Sequence, residues 1–146
     1  MSTDNSDTRI ELTNDQETLA ARIHRDAMVI DGTALAYTLQ QPFTDRLIEA
    51  GMTAAVVTVF IGVETGIGSH TEAAMRAIDH TLRLVRENDR RMELVLNTDD
   101  FYRTKDMGKL GIVMAFQNAT PFGDDLSLVD AFHGLGIRCV QLTYNQ

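Results

Sequence analysis

Two short polar clusters hold the residues best placed for chemistry. Gln117-Asn118-Ala119-Thr120 follows the apolar run Ile112–Phe116, and Thr143-Tyr144-Asn145-Gln146 follows the run Ile137–Leu142. Polar groups at the carboxyl ends of neighbouring parallel strands can converge on a small ligand. Asn118, Tyr144 and Asn145 are therefore the candidate substrate-binding residues, with Gln117 and Thr143 beside them. The competing reading is that Asn118 and Asn145 satisfy turn backbones, a common role of asparagine.

Other chemistry-bearing residues give weaker signals. His24, His70, His80 and His133 fall in or at the edge of segments that read as helices, so surface or core-edge roles are expected. His70 stands out because it follows a glycine-rich loop. That loop, Gly62–Gly68 (GVETGIG), lacks the lysine and spacing of a P-loop and reads as a flexible connection. Glu64 within it reads as a solvated carboxylate, with a pocket-facing role as the sharper alternative. No Ser-His-Asp or Cys-His arrangement is present. Cys139 lies inside an apolar run and is expected to be a buried, inert thiol without a disulfide.

The elements that must position these residues alternate between strand and helix. Between the two apolar runs, Leu126, Leu128, Val129, Phe132 and Leu135 recur at helical spacing, predicting a helix that starts at Asp124 or Asp125 and ends near Gly134 and Gly136. Upstream, Thr13 or Asn14 can cap a helix with an apolar stripe of Leu19, Ile23 and Ala27. Met28–Ile30 reads as a short strand stopped by Asp31-Gly32, and Thr33 to Pro42 as loop. Phe43–Ala50 reads as a helix, and Ala54–Ile61 (AAVVTVFI) as the clearest buried strand. A long helix from Ser69 or Thr71 to about Asn88 carries Met75, Ile78, Leu82 and Val85. Met92–Leu96 is a strand, and Asn97 or Thr98 caps a helix through Lys105. Such alternation predicts a parallel sheet with right-handed crossovers, as an open doubly wound sheet or the first part of a (β/α)8 barrel. The chain stops directly after a strand, which suggests truncation.

Composition bounds the function. The 146 residues can bury a sizeable core. A net charge of −8, from 21 acidic and 13 basic residues, argues against nucleic acid as partner. No run approaches the length of a membrane span, and the polar N-terminus is not a secretory signal. A cytoplasmic, soluble protein is expected, with residues 1–13 a disordered polar tail and 14–146 the folded domain.

Three segments carry a family resemblance: Ile23–Gly32 (IHRDAMVIDG), Gly108–Pro121 (GKLGIVMAFQNATP), and the pair LVDAFHGLGIR and QLTYN. Together they resemble the renal (membrane) dipeptidase family of zinc peptidases, family M19. The resemblance implies a (β/α)8 barrel, of which this chain would hold the amino-terminal part, about five β/α units. It also implies a metallodipeptidase-type hydrolase with zinc as cofactor and a dipeptide or other small-molecule substrate. In the family the first strand ends Asp-Gly-His-x-Asp, and a later strand ends in a glutamate that bridges two metals. Here those places hold Thr33, Leu35 and Gln117. A leucine has no donor atom, a neutral hydroxyl is a poor zinc ligand, and a neutral amide cannot hold two dications close together. The expectation is therefore no metal bound by this chain alone. The parent would keep at most one ion, held by residues beyond Gln146. The fragment itself would be inactive and prone to self-association, including homo-oligomers. The alternative is a catalytically inactive barrel that keeps a small-molecule pocket.

Overall fold

Local signals set the helix starts. The structure, a computed structural model, describes residues 10–60 and 68–143. Thr13 caps α1 (Asn14–Asp26) in a reciprocal capping box with Gln16. Ser69 accepts from the Glu72 N–H to open α3 (His70–Glu87), and Asn97 caps α4 (Thr98–Asp106). The expected short helix is α2 (Phe43–Glu49), and α5 is Ser127–Gly134. The start of α5 falls later than the sequence suggests because Asp125 folds back on it, accepting from the Ser127 N–H and hydroxyl at 2.9 and 2.7 Å.

The strands are β1 (Ile30–Leu35), β2 (Ala54–Phe60), β3 (Met92–Leu94), β4 (Leu110–Phe116) and β5 (Ile137–Val140), and all pairings are parallel. The first strand departs from expectation. Asp31-Gly32 does not stop it; the chain passes through a bulge between Asp31 and Ala34 and pairs on to Leu35, followed by a 3-10 turn over Ala36–Leu39. The Asp31 carboxylate steadies the bulge by accepting from the Thr33 N–H at 2.9 Å.

Strand order separates the two architectures left open by periodicity. β2 takes one edge of β4 along its whole length. β3 pairs with Leu110–Ile112 and β5 with Met114–Phe116, so both share the other edge. The run β1–β2–β4–β5 advances one place at each crossover and never reverses. That is the winding of a barrel, not of a doubly wound sheet. Among the described residues five strands are present, as expected, but only four take successive places in the sheet.

The helices confirm the distinction. Residues of α2, α3 and α5 share one cluster with Ala55 and Val57 of β2 and with Leu110, Ile112, Met114 and Phe116 of β4. Phe116 makes edge-on contacts with Phe60, Phe122 and Phe132 at its centre. Thus α2, α3 and α5 lie on one face. α4 lies on the other, while β3 stays in the sheet with Met92 in the shared cluster. A Cβ added at Gly111 would meet Val95, Ala54 and Thr104 of α4 at 2.8 to 3.2 Å, so only glycine permits this approach. Asp100 locks the turn before α4, accepting from the Leu96 and Asn97 N–H groups and from Arg103.

Three apolar stripes read from sequence meet different fates. In α3, Ala73, Ala74, Ile78 and Val85 are buried, while Met75 turns outward. In α1 nothing is buried; Leu19 is 45% and Ile23 58% exposed. In α5 only Phe132 is buried, and Leu126 and Val129 are exposed.

Candidate functional site

The face of the sheet opposite α2, α3 and α5 is where strand ends can converge. Register places Leu35, Thr58, Ala115 and Cys139 in one row across β1, β2, β4 and β5 on this inner face. The middle of the row is covered and its two ends, Leu35 and Cys139, are exposed. The expected buried thiol is therefore wrong. The pairing of β5 with β4 slips between Ile137 and Cys139, and Cys139 is left exposed on the uncovered side, where no later strand lies over it among the described residues.

Gln117 continues the β4 ladder, its N–H donating to Phe60 O at 3.1 Å, and it is half-buried. Alternation after Phe116 turns its side chain to the inner face, above Ala115. Leu35 reaches the same end of that face two strand places away, about 10 Å across the sheet. Thr33 sits exposed in the bulge. The structure thus brings Leu35 and Gln117 to one rim, with Thr33 on the same strand end. Their donor chemistry is a hydrocarbon, a neutral amide and a neutral hydroxyl, which does not fit a dication. Among the described residues no three His, Cys, Asp or Glu side chains come together as a metal cluster.

Asn118 is half-buried at the same rim. Its side-chain oxygen accepts from the Thr120 N–H and hydroxyl, at 3.1 and 2.5 Å, and so shapes the turn into the 3-10 segment Thr120–Phe122. Its amide N–H2 is not used in that turn and keeps its capacity to donate. Thr143 is exposed, and its carbonyl accepts from Gln141 Nε2 at 2.8 Å. Tyr144, Asn145 and Glu64 lie outside the described residues.

The histidines are where their helical positions put them. His24, His80 and His133 are exposed, and His70 opens α3 with its ring edge-on to Phe60. His24 Nε2 hydrogen-bonds Ala50 O at 2.7 Å, a structural role. Sequence reasoning overlooked a cleft of about 460 Å³ between His24, Glu49, Gly51, Lys105 and Lys109. It opens at the amino ends of β2 and β4, the end of a barrel that serves stability. No local pattern announces it, because three helix ends separated in sequence form it.

Two paired ionisable groups of α4 are perturbed, Asp100 and Arg103, the latter raised by its hydrogen bonds to Glu93 and Asp100. Burial works to raise the Asp100 carboxyl, but hydrogen bonds from Leu96, Arg103 and Asn97 outweigh it and hold it below the usual carboxylate range. This group locks β3 to α4 and does not face the carboxyl-end rim. No helix among the described residues is long and apolar enough to cross a membrane.

Known proteins agree with this arrangement. No curated protein matches the chain. Among solved structures, an amidohydrolase from Pseudomonas aeruginosa superposes with a TM-score of 0.76 at 34% identity, covering 86% of this chain and 36% of its own. The probable dipeptidase PvdM from Pseudomonas aeruginosa gives 0.74 at 19% identity, covering 88% of this chain and 38% of its own. A metallo peptidase from Rhodobacter sphaeroides, liganded with a phosphinate mimic of the dipeptide L-Ala-D-Ala, gives 0.64 at 16%, with 77% and 44% covered. This chain therefore spans well under half the length of the solved chains it matches, and its fold is a partial (β/α)8 barrel. The family model for membrane dipeptidase (peptidase family M19) matches residues 13–146. With barrel winding, one-sided helices and a match over nearly its whole length, the chain belongs to the membrane dipeptidase family, peptidase family M19.

Proposed function

We propose that the protein is a dipeptidase-like hydrolase of this family, acting on dipeptides or related amides, in which the first metal site is degenerate. One observation carries the second half of this reading. The rim where β1 and β4 end presents Thr33, Leu35 and Gln117, none able to supply negative charge or an imidazole. The Rhodobacter sphaeroides relative, solved with a dipeptide mimic, supports a dipeptide-sized ligand. In this reading any zinc is single and held by residues other than those described, and Asn118, Tyr144 and Asn145 contact the substrate. Asn118 would do so through its amide N–H2, its oxygen being committed to Thr120. The same neutral rim favours a second reading, an inactive barrel that binds a small molecule without cleaving it.

The two readings separate in one variant. Thr33→His, Leu35→Asp and Gln117→Glu together should raise metal content towards a two-metal centre and raise dipeptide hydrolysis with it. Gln117→Glu alone should do neither, because the β1 side still offers no donor. Elemental analysis and hydrolysis of a dipeptide panel read both. A triple variant that takes up two metals and cleaves nothing would sink the hydrolase reading and leave the binding barrel.

A further inference from the structure

The turn after β4 carries Asn118 and is shaped mostly by itself. Asn118 Oδ1 accepts from the Thr120 N–H and hydroxyl, the Phe122 N–H donates to Ala119 O at 3.0 Å, and the Gly123 N–H donates to Thr120 O at 3.1 Å. Bonds within a turn fix its internal shape and leave its attitude to the sheet undecided. Attitude depends on contacts with other elements. The Gln117 N–H reaches Phe60 O on β2, where the turn begins. The Phe122 ring meets Phe116 and Phe132 edge-on, and the apolar burial behind such packing is non-directional. One directional bond remains. The Thr71 hydroxyl donates to Pro121 O at 2.8 Å, although the two residues stand 50 apart in the chain. Among the described residues it is the only hydrogen bond from another element to residues 118–123.

Both partners of this bond are placed by simple rules. Pro121 is buried and has no N–H, so its carbonyl is the one backbone group that needs a partner there. Thr71 stands in the first turn of α3, where Ser69 already supplies the cap. A threonine hydroxyl deeper in a helix often turns back to the carbonyl one turn earlier. At the second position of α3 no helical carbonyl lies behind it, and the hydroxyl reaches across to Pro121. We propose that Thr71 is a positioning residue for Asn118: it ties the β4 turn to the start of α3, so that the uncommitted Asn118 N–H2 keeps a fixed place at the rim. Thr71 touches no ligand in this role. The role rests on the reading of Asn118 as a substrate contact, but the bond that carries it lies wholly between α3 and the β4 turn.

The test compares Thr71→Val, which keeps the side-chain shape and removes the hydroxyl, with Thr71→Ser, which keeps the hydroxyl, in the complete 146-residue chain. Thr71 is half-buried, so both variants should fold, as circular dichroism will show. The first readout is the Asn118 side-chain amide signal in a nitrogen–proton correlation spectrum, assigned by its loss in Asn118→Asp. The second is affinity for the dipeptide alanylalanine by calorimetry. Thr71→Val should shift and broaden the Asn118 signal and weaken the dipeptide about tenfold, the scale of one misplaced hydrogen bond. Thr71→Ser should restore both. Ser69→Ala weakens the same helix without touching Pro121 and should leave both unchanged, a separation that a purely structural role for Thr71 would not produce. An Asn118 signal unmoved in Thr71→Val overturns the proposal. So does a Thr71→Ser variant that behaves like Thr71→Val, or a Ser69→Ala variant that moves the signal as far. A parent chain that binds no dipeptide overturns the substrate role of Asn118 instead, and the Asn118 signal in the same three variants still decides whether Thr71 positions it.

Discussion

α1 and α3 are the same kind of object locally and opposites in the fold. Each opens with a side-chain cap, carries acidic residues in its first turn and basic ones in its last, and repeats apolar residues at three and four. α3 crosses from β2 and sinks Ile78 and Val85 among Leu110, Ile112 and Phe116. Among the described residues α1 has no strand beneath it, and it buries nothing. Amphipathicity therefore states which face seeks cover, and the strand order states whether cover is present.

The sharpest break between them is a cavity. Ile78 is 2% exposed, and Ile78→Ala should cost about 2–4 kcal/mol in urea unfolding, whereas Ile23→Ala should shift the unfolding of the single chain by less than about 0.5 kcal/mol. Equal losses at both sites would mean that α1 is packed after all.

A middle-sized effect lies at the seam between the faces. Asp100→Ala leaves the Leu96 and Asn97 N–H groups without their acceptor and should cost about 1–3 kcal/mol. The folded-state carboxyl sits below its ordinary value of 3.8, so its contribution is present above that pH and is lost as acid protonates it. The parent should destabilise more steeply than Asp100→Asn on acidification below about pH 4. Parallel acid profiles would show that the lock contributes nothing.

The smallest effect compares the caps themselves. Ser69→Ala should lower global stability by about 1 kcal/mol, because α3 unfolds only with the sheet. Thr13→Ala should fray residues 14–26 and leave the global midpoint in place. Hydrogen exchange along the two helices distinguishes these, and a matching global loss for Thr13→Ala would tie α1 to the core.

Sequence alone determined what local chemistry can determine. Caps, apolar runs and three-and-four spacing located the five helices of the described residues and every strand but β1, because each signal lies within a few residues of the structure it sets. The identities of Thr33, Leu35 and Gln117 put no carboxylate, thiolate or imidazole at those three positions whatever the fold does. Tertiary structure decided the rest. Only strand pairing shows that β3 and β5 share one edge of β4, that α4 crosses beneath Gly111, and that Asp31-Gly32 is a bulge inside β1 rather than its end. Only the uncovered flanks show that Cys139 and the α1 stripe face solvent. Periodicity reports the face of an element; what lies against that face depends on contacts between residues far apart in sequence, and those are formed in three dimensions.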